Sequence, residues 1–175
     1  QVDAEMSTAR HSVLFLPGRG DVYEKYLETL EHWRQGAWQV SAADWRGQGG
    51  SGRLGRDAST GHVDDFALFV DDLAALWRDW AAYHPGPLVL AAHSMRGHIA
   101  LRAVIERRVV PSALVLTAPM LDVQPEGVPL VVRRLAARAL AGLGDPRRPG
   151  WKLSEKPGSP LRLRAQLLTH DEARY

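Results

Sequence analysis

Residues 88–98 read L-V-L-A-A-H-S-M-R-G-H, a short apolar run that ends at Ser94 and passes at once into a helical pattern. A serine hydroxyl is a poor nucleophile at neutral pH. It needs a base to take its proton and N–H groups to receive an oxyanion. A sharp turn from strand to helix meets the second need, because it exposes the hydroxyl at the sheet edge and points the first helical amides at the developing charge. Such a turn has room only for small residues two positions before the serine and two and three after it. Those positions hold Ala92, Arg96 and Gly97. Ala92 and Gly97 suit the turn, whereas Arg96 is expected to force a long side chain into the helix–strand contact, with backbone strain of about 1–3 kcal/mol. A serine here also has a simpler reading, as the N-cap of a helix whose side chain accepts a backbone N–H.

Four apolar runs must carry these residues: Ser12–Leu16, Trp38–Ala43, Leu88–Ala92 and Ala113–Thr117. Each is short and nearly continuous, as in parallel strands buried on both faces. Helical patterns separate them at Val22–Gln35, Val63–Tyr83 and Ile99–Arg107. The order predicts a right-handed, doubly wound α/β sheet. After Thr117 the texture changes. Leu130–Leu143 reads as an amphipathic helix with Leu130, Val131, Leu135, Ala139 and Leu143 inward and Arg133, Arg134 and Arg138 outward, and residues 144–164 are rich in proline and glycine. The expected division is a core over 1–120 and a partial lid over 121–175.

The chain has 175 residues, 45% hydrophobic and 24% charged, enough for one domain with a sizeable core. It holds no apolar run of the roughly 18 residues that a membrane span needs. No cysteine is present, which removes disulfides and thiolate chemistry. The opening Q-V-D-A-E-M-S-T-A-R-H has no leader pattern, and a cytoplasmic location, in reach of a membrane surface, is expected. Residues 1–120 carry 12 basic and 14 acidic side chains and residues 121–175 carry 10 and 6. The basic tail reads as a solvated face, or as one that meets anionic lipid head groups. Its basic residues are not interleaved with stacking aromatics, so no nucleic acid is expected. Gly47, Gly49 and Gly52 satisfy G-x-G-x-x-G with Asp71 and Asp72 about twenty residues on. However, no helix opens at once to face a pyrophosphate, and the loop reads as a turn at the sheet edge with Asp44 and Arg46 bonding locally. The seven histidines show no metal-ligand spacing.

Four segments taken together resemble the α/β-hydrolase superfamily and, within it, the monoacylglycerol lipase and lysophospholipase group of serine hydrolases. They are F-L-P-G-R-G-D-V-Y-E-K-Y, A-A-D-W-R-G-Q-G-G-S-G, A-H-S-M-R-G-H and L-T-A-P-M-L. The resemblance implies a partial, doubly wound, mostly parallel sheet of the α/β-hydrolase type with the start of a helical lid. It implies hydrolysis of small lipid-like carboxylic esters, monoacylglycerols or lysophospholipids, through an acyl-enzyme, without cofactor or metal. It makes Ser94 the nucleophile and gives the oxyanion-hole N–H groups to Met95 and Arg19. Arg19 follows Pro17-Gly18, which stands where the family has His-Gly.

In the resembling proteins the acid and the histidine come after later strands, beyond the lid, so this sequence looks like an N-terminal part that stops inside the lid. Two residues within the chain keep the order serine, acid, histidine: Asp122 and His170. Their plainer readings are a turn residue and a helix start. His93 and His98 flank the serine too closely to act as base and are expected to be structural. An uncovered sheet edge predicts association with the missing half or with another copy. The alternative function is a catalytically silent fragment or pseudoenzyme that binds apolar ligands or a partner, which Arg96 in place of glycine and the missing triad partners both favour.

Overall fold

The computed structural model describes residues 11–52, 62–84, 86–122 and 128–143. Its sheet contains β1 (His11–Leu16), β2 (Trp38–Ala42), β3 (Leu88–His93) and β4 (Ala113–Thr117), in the spatial order β2-β1-β3-β4. All three pairings are parallel, with Val13 opposite both Val40 and Val89, and Ala91 opposite Val115. The helices are α1 (Leu27–Gln35), α2 (Ala67–Ala81), α3 (Met95–Ile105) and α4 (Leu130–Gly142).

Side chains alternate across the sheet and feed two apolar layers. Val13, Phe15, Val89 and Ala91 pack with Leu30 of α1, where Phe15 meets Tyr26 and Trp33 at ring-centroid distances of 4.7 and 5.9 Å. Leu14, Leu16, Leu90 and Ala92 pack on the other face against Val70, Leu73 and Trp77 of α2 and Ile99, Ala100 and Ala103 of α3. Burial on both faces is why the two central strands read as nearly unbroken apolar runs. β4 differs. Leu114 and Leu116 pack on the α2/α3 layer, while Ala113, Val115 and Thr117 are exposed, Val115 by 46%.

Three helix starts differ from expectation. The first helical segment opens as a 3₁₀ turn, Tyr23–Tyr26, before α1. α2 begins at Ala67 and not Val63, because the Asp65 carboxylate accepts the Ala67 N–H at 2.8 Å and fixes the first turn there. α3 starts at Met95, directly after Ser94. It ends with Arg107 at φ +55, the N–H of Arg108 reaching the Ala103 carbonyl at 2.8 Å and that of Arg107 the Val104 carbonyl at 3.0 Å, a Schellman ending without the usual glycine. The apolar side of α4 is a correction. Leu130, Val131, Leu135, Ala139 and Leu143, expected inward, are exposed, because periodicity reports that a face exists and not what covers it. Among the described residues no helix is long and apolar enough to cross a membrane. Residues 144–164 and His170 lie outside the described residues.

From β1 the chain crosses by α1 to β2 on one side, then by α2 to β3 and by α3 to β4 on the other. Connections that diverge in this way open a crevice at the carboxyl ends of the two central strands. Pro17–Asp21 and His93–Met95 meet there.

Candidate active site

Ser94 joins β3 to α3 with φ +54 and ψ −126, a sparsely populated backbone region for a residue with a side chain. Holding it there costs of the order of 1–3 kcal/mol and persists only where the surroundings over-determine it. Here they do. The Ser94 N–H donates to the Thr117 carbonyl at 3.0 Å, and the Ser94 carbonyl accepts the N–H groups of Met120 at 3.0 Å and His98 at 3.3 Å. The Ser94 side chain makes no capping bond, and its backbone is not in the extended region that N-caps adopt, so the plain N-cap reading fails. Met95 is the first helical residue, one of the positions whose N–H has no partner within the helix.

The turn after β1 abuts this elbow. A Cβ on Gly18 would stand 3.1 Å from His93 Cδ2 and 3.3 Å from Ser94 Cβ, so a side chain at 18 would be pressed between them. The Asp21 N–H donates to the Gly18 carbonyl at 3.4 Å across a four-residue turn in which Gly20 has φ +71 and Arg19 is exposed. Side chains pin the turn. Asp21 accepts from Lys25 Nζ at 2.6 Å and from the Tyr26 hydroxyl at 2.8 Å. Burial pushes the Asp21 carboxyl up, but the bonds from Lys25 and Tyr26 outweigh it and hold the group below its ordinary value. Burial, then Asp21, raises the Tyr26 phenol well above its usual range, so it remains a donor. The Gly20 N–H donates to the Gln48 side-chain carbonyl.

The loop after β2 is organised by Asp44. Its carboxylate accepts the N–H of Tyr23 at 3.3 Å and of Gly50 at 3.2 Å, and its carbonyl accepts the Ser51 hydroxyl at 3.2 Å. The Gly47 N–H donates to the Gly52 carbonyl at 2.7 Å. These amides are taken, which removes the cradle a phosphate would need. Asp72 pairs with Arg46 and Asp71 with Arg108, so neither stands ready for a ribose. Arg46 thus bonds to α2, beyond the local contact expected of it.

Arg96 does not collide with the neighbouring strand. It lies within α3, is fully buried, and runs across the end of β1 to the end of β2, where Nη1 donates to the Ala43 carbonyl at 3.4 Å and the guanidinium sits 5.0 Å from the centroid of the Trp45 ring. The tight position is Gly97, where an added Cβ would meet Pro119 Cβ at 3.0 Å and Cα at 3.1 Å. The strain expected at Arg96 sits two residues earlier, at Ser94.

The structure brings Ser94, Met95 and the turn bearing Arg19 to one place. Asp122 is exposed, two residues past Met120, and His170 lies outside the described residues. His93 Nδ1 lies 3.1 Å from both the carbonyl and the hydroxyl of Thr117, and the His98 ring packs edge-on against Phe66 at 5.7 Å, so both are held structurally. Sequence reading missed Asp21 and Gln48. The spacing of Asp21 to Lys25, four residues on a helical pattern, was a usable sign. Gln48 and Gly20 are 28 positions apart, and nothing local marks them.

Comparison with known proteins fits this geometry. The family pattern described as serine aminopeptidase, S33, matches residues 7–174. The chain is 35% identical over 167 residues to lysophospholipase L2 of Escherichia coli K12, covering 93% of this chain and 48% of that one. It is 28% identical over 113 residues to phospholipase YtpA of Bacillus subtilis, covering 64% and 41%. The chain therefore spans about half the length of the curated relatives it matches. Among solved structures, the monoacylglycerol lipase of Paleococcus ferrophilus superimposes with a TM-score of 0.58 at 21% identity, over 78% of this chain and 48% of that one. A soluble variant of the monoglyceride lipase of Saccharomyces cerevisiae gives 0.55 at 22% identity, over 76% and 44%. These likenesses carry the fold, and the sequence match carries the family: the chain belongs to the serine aminopeptidase S33 family of α/β-hydrolases.

Proposed function

We propose that Ser94 is the nucleophile of a serine hydrolase that cleaves carboxylic esters of lipid type, lysophospholipids or monoacylglycerols, through an acyl-enzyme. The observation that carries this reading is the elbow itself, a serine at φ +54 that spends its side chain on no cap and opens a helix at the carboxyl end of a parallel sheet. Its hydroxyl attacks the ester carbonyl while the N–H groups of Met95 and Arg19 receive the oxyanion. A histidine oriented by an acid takes the hydroxyl proton, passes it to the leaving alcohol, and then activates water to release the carboxylic acid. Asp122 and His170 keep the right chain order for these roles. The reading assigns them more readily to segments after later strands, as in the resembling family. The alternative of a silent fold drew on two features, Arg96 at the elbow and the triad partners not found in this sequence; the path of Arg96 to Ala43 and Trp45 speaks against the first of them.

The test uses the full-length protein. A fluorophosphonate probe should label it, labelling should vanish in Ser94→Ala, and lysophosphatidylcholine or monoolein should be hydrolysed with the same dependence. Absence of labelling in folded protein refutes the reading.

A further inference from the structure

Arg96 is a buried cation with too few partners. Its Nε and Nη2 have no hydrogen-bond partner among the described residues, and its single bond to Ala43 is long. A buried charge left in this way is costly, and an apolar side chain of similar volume would fill the space at less cost. Its contacts suggest what the charge does. The residues it touches, Ala43 and Trp45, open the loop that holds the turn after β1. The Trp45 carbonyl accepts the Gln48 N–H at 2.9 Å, the Gln48 side chain accepts the Gly20 N–H, and Asp44 accepts the Tyr23 N–H at 3.3 Å. The charged and titratable groups whose fields act on the guanidinium are Asp44, Asp21 and the Tyr26 phenol, and the two carboxylates are those that fix the two loops.

We propose that Arg96 is a positioning residue: its guanidinium, braced on Trp45 and Ala43, holds the 44–52 loop against the Gly18–Asp21 turn and so fixes the Arg19 N–H relative to Ser94. The catalytic part of this inference rests on the reading of Ser94 as nucleophile. Arg96 touches no reacting atom. Burial pulls its pKa below the ordinary guanidinium value, yet an arginine keeps its proton across the working pH range, so the brace carries a fixed charge.

The experiment compares full-length wild type with Arg96→Met and Arg96→Lys. Hydrogen exchange of the Gly20, Tyr23 and Gly50 amides reports the loops. Turnover of a short-chain nitrophenyl ester at neutral pH reports the site. In folded Arg96→Met the three amides should exchange about tenfold faster. Its kcat should fall about 10- to 100-fold, with KM within about twofold, because a displaced oxyanion donor is felt in the transition state. Arg96→Lys should recover part of both. Wild-type exchange and kcat in Arg96→Met overturn the proposal. Should that variant not fold, Arg96→Gln is read by the same criteria. If the wild type hydrolyses no ester, the assignment of Ser94 fails, while the exchange measurement still decides the role of Arg96.

Discussion

Position 97, and not position 96, is where the elbow excludes a side chain, and Gly97→Ala tests this. The new Cβ would stand 3.0 Å from Pro119 Cβ and 3.1 Å from Pro119 Cα. Carbon atoms in good contact sit about 3.5–4.0 Å apart, so α3 or Pro119 must yield by about 0.5 Å. Pro119 cannot swing aside, since the contact includes its backbone and its ring fixes φ. Its neighbours are committed as well: Thr117 accepts the Ser94 N–H and Met120 donates to the Ser94 carbonyl, each at 3.0 Å. Overpacking of this kind costs about 1–3 kcal/mol. Alanine returns up to about 1 kcal/mol as the better helix former. The net expectation is a loss of about 1–2 kcal/mol, or a fall in Tm of several degrees. Urea and thermal unfolding of the full-length protein measure it, with Gly142→Ala as control, where an added Cβ meets nothing within 4 Å. The shift passes through Met120 to Ser94, so kcat should fall with stability. If Gly97→Ala is as stable as Gly142→Ala, the close contact with Pro119 is not a constraint and the reasoning fails.

Ser94→Gly should raise stability by about 1–2 kcal/mol while abolishing probe labelling, because glycine adopts the elbow conformation without strain. Ser94→Ala should lose labelling with no such gain, and equal unfolding midpoints for the two variants would refute stored strain at this position. Arg107→Gly should stabilise by about 0.5–1 kcal/mol, since φ +55 at the end of α3 suits glycine, and unfolding in urea will show whether it does. Asp21→Asn should cost about 1 kcal/mol at pH 7, where the carboxylate bonds to Lys25 and Tyr26. The Asp21 pKa is lowered on folding, so its contribution is complete above its ordinary value of 3.8 and is lost as pH falls through the folded value. Wild type and variant should therefore converge in acid, and a stability gap unchanged between pH 7 and pH 3 would count against the ion pair.

Much of the fold was legible because it rests on local pattern. Strands buried on both faces must be largely apolar, and β1 over Val13–Leu16 and β3 over Leu88–Ala92 are. Ser94 was legible for the same reason, since strand, turn and helix follow one another directly along the chain. Arg96 was not, because the motif gives its neighbours in sequence while its path is set by β1 lying between β3 and β2, which brings the Ala43 carbonyl and the Trp45 ring within its reach. The same holds for Gln48, whose partner Gly20 belongs to a different loop. α4 shows the converse limit: its apolar arc is plain in the sequence, yet Val131 and Leu135 are 67% and 60% exposed.

The two halves of the candidate site are held by different physics, and this predicts where it is fragile. Ser94 is fixed by main-chain bonds to the end of β4, to the segment just after it and to α3, which no ordinary side-chain substitution removes. The turn that carries Arg19 has one weak main-chain bond of its own, at 3.4 Å, and otherwise depends on the side chains of Asp21, Tyr26, Asp44 and Gln48. Losing one such bond costs about 1 kcal/mol, small against the stability of a domain but enough to displace a short surface turn. Single substitutions at these four positions should therefore leave the fold and the reactivity of Ser94 toward a small fluorophosphonate largely intact, while turnover of an ester, which needs the oxyanion donors in place, falls. Parallel loss of labelling and turnover would mean that the turn and the elbow move as one body. Loss of turnover alone would locate the weak joint of the site between β1 and the 44–52 loop.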